Sequence, residues 1–420
     1  MFETDNHSRK EPMQPAINET GPAGGKTIHY NAIQKLMSVP EDTIQRCTRC
    51  ILPASLHHIS FDEQGVCNHC RQYEKNFREW NSIKEEREKQ FESLIEKARV
   101  LKRPYDCLVP LSGGKDSTYT LYLANRVYGL KTLAITFDHG YLSGQARENI
   151  QNALKSCRAD HLYYSVNRLN SSQLFKVFAE KTADFCSACM RGINYSIEQA
   201  VKAFRIPLII KGSGRRVQYT SQIEDVTSVN TPSYFGKVLK GSEAAHAFSH
   251  FSRNKHRLEF QKIVGGVCDI MGLSRSVMMR FMPQHIGIYD YIYKPFPEII
   301  DIIKTKMHWK DGGGTSEHLD CRMHDVPFYH DTLRIPNITK YTFYNSGLIR
   351  QGLITREAAL EQESKELASH SVPPELLEFL EEHDLDLDRY ETAVKTIDRS
   401  VYEPSIQKIA RRIYHRFRKF

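Results

Sequence analysis

Apolar and polar positions along the chain follow two periods, and the switches between them outline the architecture. From Trp80 to about Arg103 charged residues dominate, with Ile83, Phe91, Leu94, Ile95 and Ala98 spaced as one face of an amphipathic helix that Pro104 ends. Cys107–Leu111 then reads as a short apolar strand, Ser117–Tyr128 as a helix and Lys131–Phe137 as a second strand. Gln145–Cys157 is helical, Leu162–Val166 a strand, Ser171–Ala183 and Met190–Phe204 helical, and Pro207–Lys211 an apolar strand. Strands separated by helices of this length predict an α/β fold with a doubly wound parallel sheet, whose ligands gather at the carboxyl ends of the strands. Beyond Lys211 the pattern blurs. Residues 235–283 are basic, rich in His and Met and mostly helical in pattern, Pro295–Lys306 reads as a helix, and Asp311–Thr315 is a glycine turn. From Thr355, a plausible N-cap, the chain is helical and charged. No internal repeat is evident.

The first strand runs straight into Ser112-Gly113-Gly114-Lys115-Asp116-Ser117 and a helix start. Paired glycines let the backbone turn its N–H groups inward, and a helix N-terminus behind them favours an anion. Lys115 adds a full positive charge, and Ser112 and Ser117 add hydroxyl donors. The stretch reads as a phosphate cradle. It is not a Walker A loop, whose spacing is absent, and the bland alternative is a strand-to-helix turn with a solvated lysine and aspartate.

Ten cysteines do not scatter evenly. Cys47-Thr-Arg-Cys50 and Cys67-Asn-His-Cys70 give the spacing of a zinc ribbon or knuckle, with Phe61–Gly65 between them as a hairpin turn. Four thiolates on one Zn²⁺ leave no open position, so the expected role is structural, and a module this poor in apolar residues needs the metal to fold. Composition adds bounds rather than a function. With 40% hydrophobic residues in 420, the chain has the length for two or three domains, and a net charge of +8 suits an anionic substrate or RNA without proving either. No apolar run approaches membrane-spanning length, the N-terminal leader lacks a secretory core and reads as disordered, and a cytoplasmic location is expected.

The SGGKDS hexapeptide resembles the signature of the PP-loop ATP pyrophosphatases, the adenine nucleotide alpha-hydrolase-like (HUP-like) superfamily. The order of features narrows the resemblance. Cys47-Thr-Arg-Cys50, then Phe61-Asp-Glu-Gln-Gly65-Val-Cys67-Asn-His-Cys70, then the hexapeptide, and later Gly352-Leu-Ile-Thr-Arg-Glu-Ala358 resemble the N-acetyl sugar amidotransferase family over roughly residues 46–385. That resemblance implies an enzyme that turns an acetamido group of a nucleotide-linked or related sugar into an acetamidino group. Adenylylation by ATP with Mg²⁺ activates the amide oxygen, and a separate glutaminase partner supplies ammonia. It places ATP on Ser112, Gly113, Gly114, Lys115, Asp116 and Ser117, with Lys115 catalytic. Asp116 is a candidate to hold the metal or to cap the helix, and Asp138 either contacts the nucleoside or is a loop aspartate. Gly212, in Lys211-Gly-Ser-Gly-Arg-Arg216, marks a further cofactor loop. There the family's sulfur-inserting relatives tend to carry Gly-His and acidic residues, so the two arginines favour an anion or a solvated loop.

Cys186-Ser-Ala-Cys189 and Cys321 open a second reading. They resemble the cysteines of sulfur-inserting PP-loop enzymes that modify tRNA, whose three thiolates bind an iron–sulfur cluster. A buried thiol pair or a second zinc site are the plainer alternatives, and Cys107 and Cys157 read as core. The basic, one-sidedly apolar tail Ile406–Phe420 is expected to dock on its own domain or to bind RNA, a membrane surface or an acidic partner. The expected division is a leader over 1–45, a zinc module over 46–75, a linking helix over 76–103, a PP-loop domain over 104–330 and a helical region over 331–420. Nitrogen transfer is the leading expectation. Sulfur transfer to tRNA or to a thioamide is the alternative, and a non-catalytic nucleotide-binding scaffold is third.

Overall fold

The computed structural model describes residues 44–56, 59–213, 232–249, 251, 283–311, 320–369, 372–397 and 401. The expected leader, Arg215 and Arg216, most of 235–283, the glycines after Asp311 and the basic tail lie outside the described residues. Five strands form one parallel sheet: β1 (Cys107–Pro110), β2 (Thr132–Asp138), β3 (Asp160–Ser165), β4 (Leu208–Lys211) and β5 (Gln284–Gly287). Their order is β3-β2-β1-β4-β5, with Leu108 opposite Leu133 and Ile209. The chain winds outward from β1 to β3 and returns to place β4 on the other side of β1. That reversal at β1 opens a crevice at its carboxyl end. The doubly wound parallel sheet expected from the sequence is present. The fifth strand was not legible, because Gln284-His-Ile-Gly287 is short and half polar.

Strand side chains alternate between the two faces. Leu108, Leu133, Ile135 and Ile209 pack on Ile197 and Ala200 of α5 (Phe185–Phe204). Val109, Ala134, Ile210 and Ile286 face the other way. Their partners are α1 (Asn68–Val100), α2 (Lys115–Leu121), α3 (Gly144–Ser156) and α8 (Phe296–Met307). The α2 helix starts two residues earlier than expected and continues as a π-helical stretch over Tyr122–Val127. A third apolar cluster joins α4 (Arg168–Thr182) and α5 to α6 (Pro232–Leu239). Past the one-turn helix α7 (Ala244–Ala247), the C-terminal helices α9 (Asp325–Arg334), α12 (Pro374–Glu382) and α13 (Leu387–Thr396) complete it.

The sequence pattern placed the linking helix from about Trp80. It begins instead at Asn68, with the Cys67 sulfur accepting from the Cys70 N–H at its first turn. Cys67 therefore caps the helix in extended conformation and Cys70 lies in its first turn, so one helix runs from the four-cysteine segment onto the sheet. Helix α5 also starts earlier than expected, so Cys186 and Cys189 lie in its first turn rather than before it. Thr355 does cap α11 (Arg356–Ser369), its hydroxyl accepting from the Ala358 N–H at 3.2 Å. No helix among the described residues is long and apolar enough to cross a membrane.

The end of β5 meets the loop after β4 so closely that a Cβ on Gly287 would lie 2.4 Å from the Ser213 carbonyl oxygen. Backbone cannot yield as a side-chain tip can. Gly287→Ala is expected to lower stability by about 1–3 kcal/mol, read as a lower denaturation midpoint at unchanged m-value.

Candidate functional site

The hexapeptide lies at the carboxyl end of β1, in the crevice made by the strand reversal. Gly113 has φ +84°, and a Cβ there would fall 2.4 Å from the Ala146 carbonyl oxygen, so both its conformation and its surroundings require glycine. Its carbonyl oxygen accepts from Trp309 Nε1 at 2.9 Å and from Asn149 Nδ2 at 3.3 Å. Those bonds fix the peptide; the Gly114 N–H turns back to Ser112 Oγ at 3.4 Å, and the N–H groups after it open α2, where a helix has no internal acceptors for them. Ser117 Oγ donates to the Gly114 carbonyl at 3.0 Å and accepts from the Ser112 N–H at 3.2 Å, closing the loop on itself.

Lys115 is buried, its Nζ 3.2 Å from Asp116 Oδ2 and 4.8 Å from the centre of the Phe296 ring. Asp116 does not cap α2, whose cap is Gly114 without a side-chain bond. Its other oxygen accepts instead from the Tyr289 hydroxyl at 2.7 Å. Gly212 packs against this turn, with a Cβ there only 2.7 Å from the Asp116 carbonyl carbon. The loop, Asp116 and Gly212 therefore meet. Tyr289, Trp309, Asn149 and Phe296 were not anticipated. The one available signal was a tryptophan, one of only two in the chain, just ahead of the glycine turn.

Asp138, at the end of β2, accepts from the Tyr163 hydroxyl at 2.5 Å and pairs with Arg147 at 3.2 Å. Burial pushes its carboxyl up, but the Tyr163 hydroxyl, the Gly140 N–H and Arg147 outweigh it, and the net shift is downward. Next to it His139 is buried and its pKa is lowered, by burial first.

The segment holding Cys321 runs beside the loop after β2. Leu142 and Cys321 form an antiparallel bridge, and the Ser143 N–H donates to the Asp320 carbonyl at 3.2 Å. The Asp320 carboxylate lies 3.7 Å from where a Gly114 Cβ would stand, which puts Cys321 one residue from the glycine loop. Cys189 and Cys321 border the same apolar cluster, and Cys186 lies within electrostatic reach of Cys189. Burial pushes the Cys189 thiol well up, with Cys321, Cys186 and Asp320 adding to it, and burial takes Cys321 to about 12. Three half-buried thiols thus gather at the carboxyl end of the sheet. They are wider apart than the four N-terminal sulfurs, which are the group among the described residues close enough for a single ion. Cys107 and Cys157 are core, as expected.

Cys47, Cys50, Cys67 and Cys70 are fully buried, their sulfurs all within 4.8 Å of one another. The Cys47–Cys70 and Cys50–Cys67 separations, 4.0 and 3.7 Å, match the edge of about 3.8 Å of a tetrahedron with 2.3 Å metal–sulfur bonds. Hydrogen bonds from the thiols of Cys50, Cys67 and Cys70 hold Cys47 far below the usual thiol range, and the same contacts push Cys70 far above it. Each further negative charge opposes the next, and a divalent cation removes that opposition. The donor set fits Zn²⁺. A C-terminal residue holds the first knuckle, because Arg356 Nε donates to the carbonyls of both Cys47 and Cys50 at 3.2 and 3.1 Å. Arg46 reaches the Asn337 carbonyl at 2.9 Å and pairs with the buried Glu363 at 3.6 Å.

No family model matches the chain. An uncharacterized protein of Methanocaldococcus jannaschii is 25% identical over 171 residues, and the match spans 40% of this chain and 58% of that protein. Among solved structures, the U34-tRNA thiolase NcsA from Methanococcus maripaludis with its 4Fe-4S cluster is 15% identical, with coverage of 76% of this chain and 88% of that one, at a TM-score of 0.29. A likeness of that grade leaves the fold to rest on the strands described above.

Two outcomes are expected here. Full-length protein should hold one zinc per chain by metal analysis, and Arg356→Ala should release it to a chelator faster while costing about 1.5–3 kcal/mol of stability. Because the Asp138 pKa is depressed in the fold, its stabilisation is present above the ordinary carboxylate pKa and is lost as pH falls through the folded value. Asp138→Asn should therefore destabilise at pH 7 by about 2 kcal/mol, and the gap from the parent in urea titrations should close toward pH 3.

Proposed function

We propose that the chain is a PP-loop ATP-using enzyme that activates a carbonyl oxygen of its acceptor by adenylylation and replaces it with sulfur. The observation that carries this reading is Cys321 next to the residue that meets the glycine loop, with Cys189 bordering the same apolar cluster and Cys186 within its electrostatic reach. The acceptor oxygen attacks the α-phosphorus of ATP, the bond to the β-phosphate oxygen breaks, and pyrophosphate leaves with that electron pair. A sulfur nucleophile then adds to the activated carbon, and AMP departs with the original oxygen.

In this reading Lys115 and the N–H groups after Gly113 stabilise charge on the departing pyrophosphate. Asp116, held by Tyr289, would be the ligand of Mg²⁺. The three thiols, half-buried and wider apart than the four N-terminal sulfurs, suit an iron–sulfur cluster better than a single ion. Cys186, Cys189 and Cys321 would hold such a cluster, and it would supply an iron able to take up sulfide.

A second reading keeps nitrogen transfer, with ammonia from a glutaminase partner and an N-acetyl sugar as acceptor. What favours it is Arg356. It belongs to the 352–358 segment that resembles the sugar amidotransferases and grips the knuckle that carries the other part of that resemblance. The acceptor is a small molecule in the nitrogen reading and tRNA or a small amide in the sulfur reading.

The nucleotide product tests what both readings share. With acceptor present, labelled ATP should yield AMP and pyrophosphate, and Lys115→Ala should slow turnover by about 10²–10³. ADP as the product would end both. Anaerobic purification with iron and sulfide quantification separates them. Cys186→Ala, Cys189→Ala and Cys321→Ala should each abolish sulfur transfer, and three fully active variants would hand the site to ammonia.

A further inference from the structure

Arg350 ends α10 (Thr342–Arg350) and is only 7% exposed. Its guanidinium makes no hydrogen bond and no ion pair with any described residue, and Nη1 is a fully buried donor without an acceptor. A guanidinium cannot shed its proton, so burial cannot neutralise it. The carbonyls of Gly347, Leu348 and Ile349 at the end of α10 accept from the N–H groups of Gln351, Gly352 and Leu353, and none accepts from Arg350. Native structures seldom leave a buried charge in this state, and an anionic ligand is one of the few arrangements that accounts for it.

The surroundings say what kind of anion. One turn before Arg350, Ser346 accepts from the Ile51 N–H at 3.4 Å, so Arg350 stands beside the first cysteine knuckle. That knuckle carries Arg49, part-exposed and paired with Glu74 of α1. Tyr73, adjacent to Glu74, feels both arginines, which oppose the upward push of burial and Tyr293 on its hydroxyl. Tyr73 stacks on Phe77 at 6.1 Å, and Phe77 meets the edge of Tyr293 at 6.2 Å. Three residues on, Phe296 lies beneath Lys115 of the glycine loop. A row of rings thus leads from a buried fork of donors to the candidate ATP site.

We propose that Arg350, with Arg49 at its side and Tyr73, Phe77 and Tyr293 as its wall, binds the phosphate of a nucleotide-bearing acceptor and aims the acceptor at the loop. The fork suits two phosphate oxygens, and the rings suit a base. The proposal deepens the adenylylation reading and rests on it for what happens to the acceptor. It also gives the four-cysteine module a task beyond folding, since the knuckle presents Arg49.

The test is calorimetric binding to full-length, zinc-loaded protein saturated with Mg-ATP, using uridine 5′-monophosphate and, separately, a four-nucleotide oligouridylate. Arg350→Gln should weaken both by about ten- to a hundredfold, and Arg49→Gln by several-fold, with Mg-ATP affinity unchanged. Because the lost charge is unpaired, the Arg350→Gln melting temperature should hold or rise. Tighter binding of the mononucleotide assigns the site to a small nucleotide-linked acceptor, and tighter binding of the oligomer assigns it to RNA. Either result supports the phosphate site. If neither probe binds, or if the variants bind as the parent does, the proposal falls. Should Arg350→Gln fail to fold, Arg350→Lys and Arg49→Gln decide, and unchanged binding in both overturns it. ADP formation in the turnover assay would defeat the adenylylation reading while leaving these binding results intact.

Discussion

The carbonyl of Gly113 is the constraint on which the candidate site depends. Trp309 and Asn149 hold it from one side, and the Ala146 backbone blocks the space where a side chain would stand. Asn149 also takes the Lys310 N–H at 2.8 Å, so one amide ties α3, the loop and the stretch after α8 together. With that peptide fixed, the Gly114 N–H turns back to Ser112 Oγ, α2 starts at Lys115, and the Lys115 ammonium lies between Asp116 and Phe296. A loop that had to reorganise around developing charge would lose part of the benefit of its donors, and this one is held in place beforehand.

Three loops converge on that turn, two of them by close backbone approach at glycine, with side chains of Tyr289 and Asp320 completing the contacts. Gly212 lets the loop after β4 lie on Asp116, Gly287 lets the end of β5 lie on Ser213, and Tyr289 then reaches Asp116 from the turn after β5. On the other side Asp320 approaches Gly114 and carries Cys321 with it. The distance from chemistry-bearing residue to loop is set in every case by the sheet, whose parallel strands deliver all these connections to one edge.

The four-cysteine segment is not an independent appendage. It shares a core with Ile338 and Phe343, its carbonyls are held by Arg356, and its second half is the first turn of the long helix that packs on the sheet. Loosening of the four-cysteine group would therefore loosen the C-terminal helices as well as the knuckle. This coupling gives a physical reason for a cysteine block and a segment three hundred residues later to occur together.

Local chemistry determined the parts of this protein that local chemistry can determine. Apolar runs and helical spacing marked four of the five strands and most helices, paired glycines before a lysine marked the loop, and two C-x-x-C pairs marked the four clustered thiols. Each signal sits within a few residues of itself, where backbone geometry and spacing are legible. Tertiary structure decided the rest. The fifth strand has too few apolar residues to announce itself, and it is a strand because β4 offers it a free edge. Cys186 and Cys189 begin a helix rather than precede one, and only the return of residue 321 to the loop after β2 brings the third thiol near them. Tyr289, Trp309 and Arg350 look like ordinary core and surface residues in sequence. Their partners lie 173 and 196 positions away for the first two, and the isolation of Arg350 in the interior becomes visible only once the fold has closed around it.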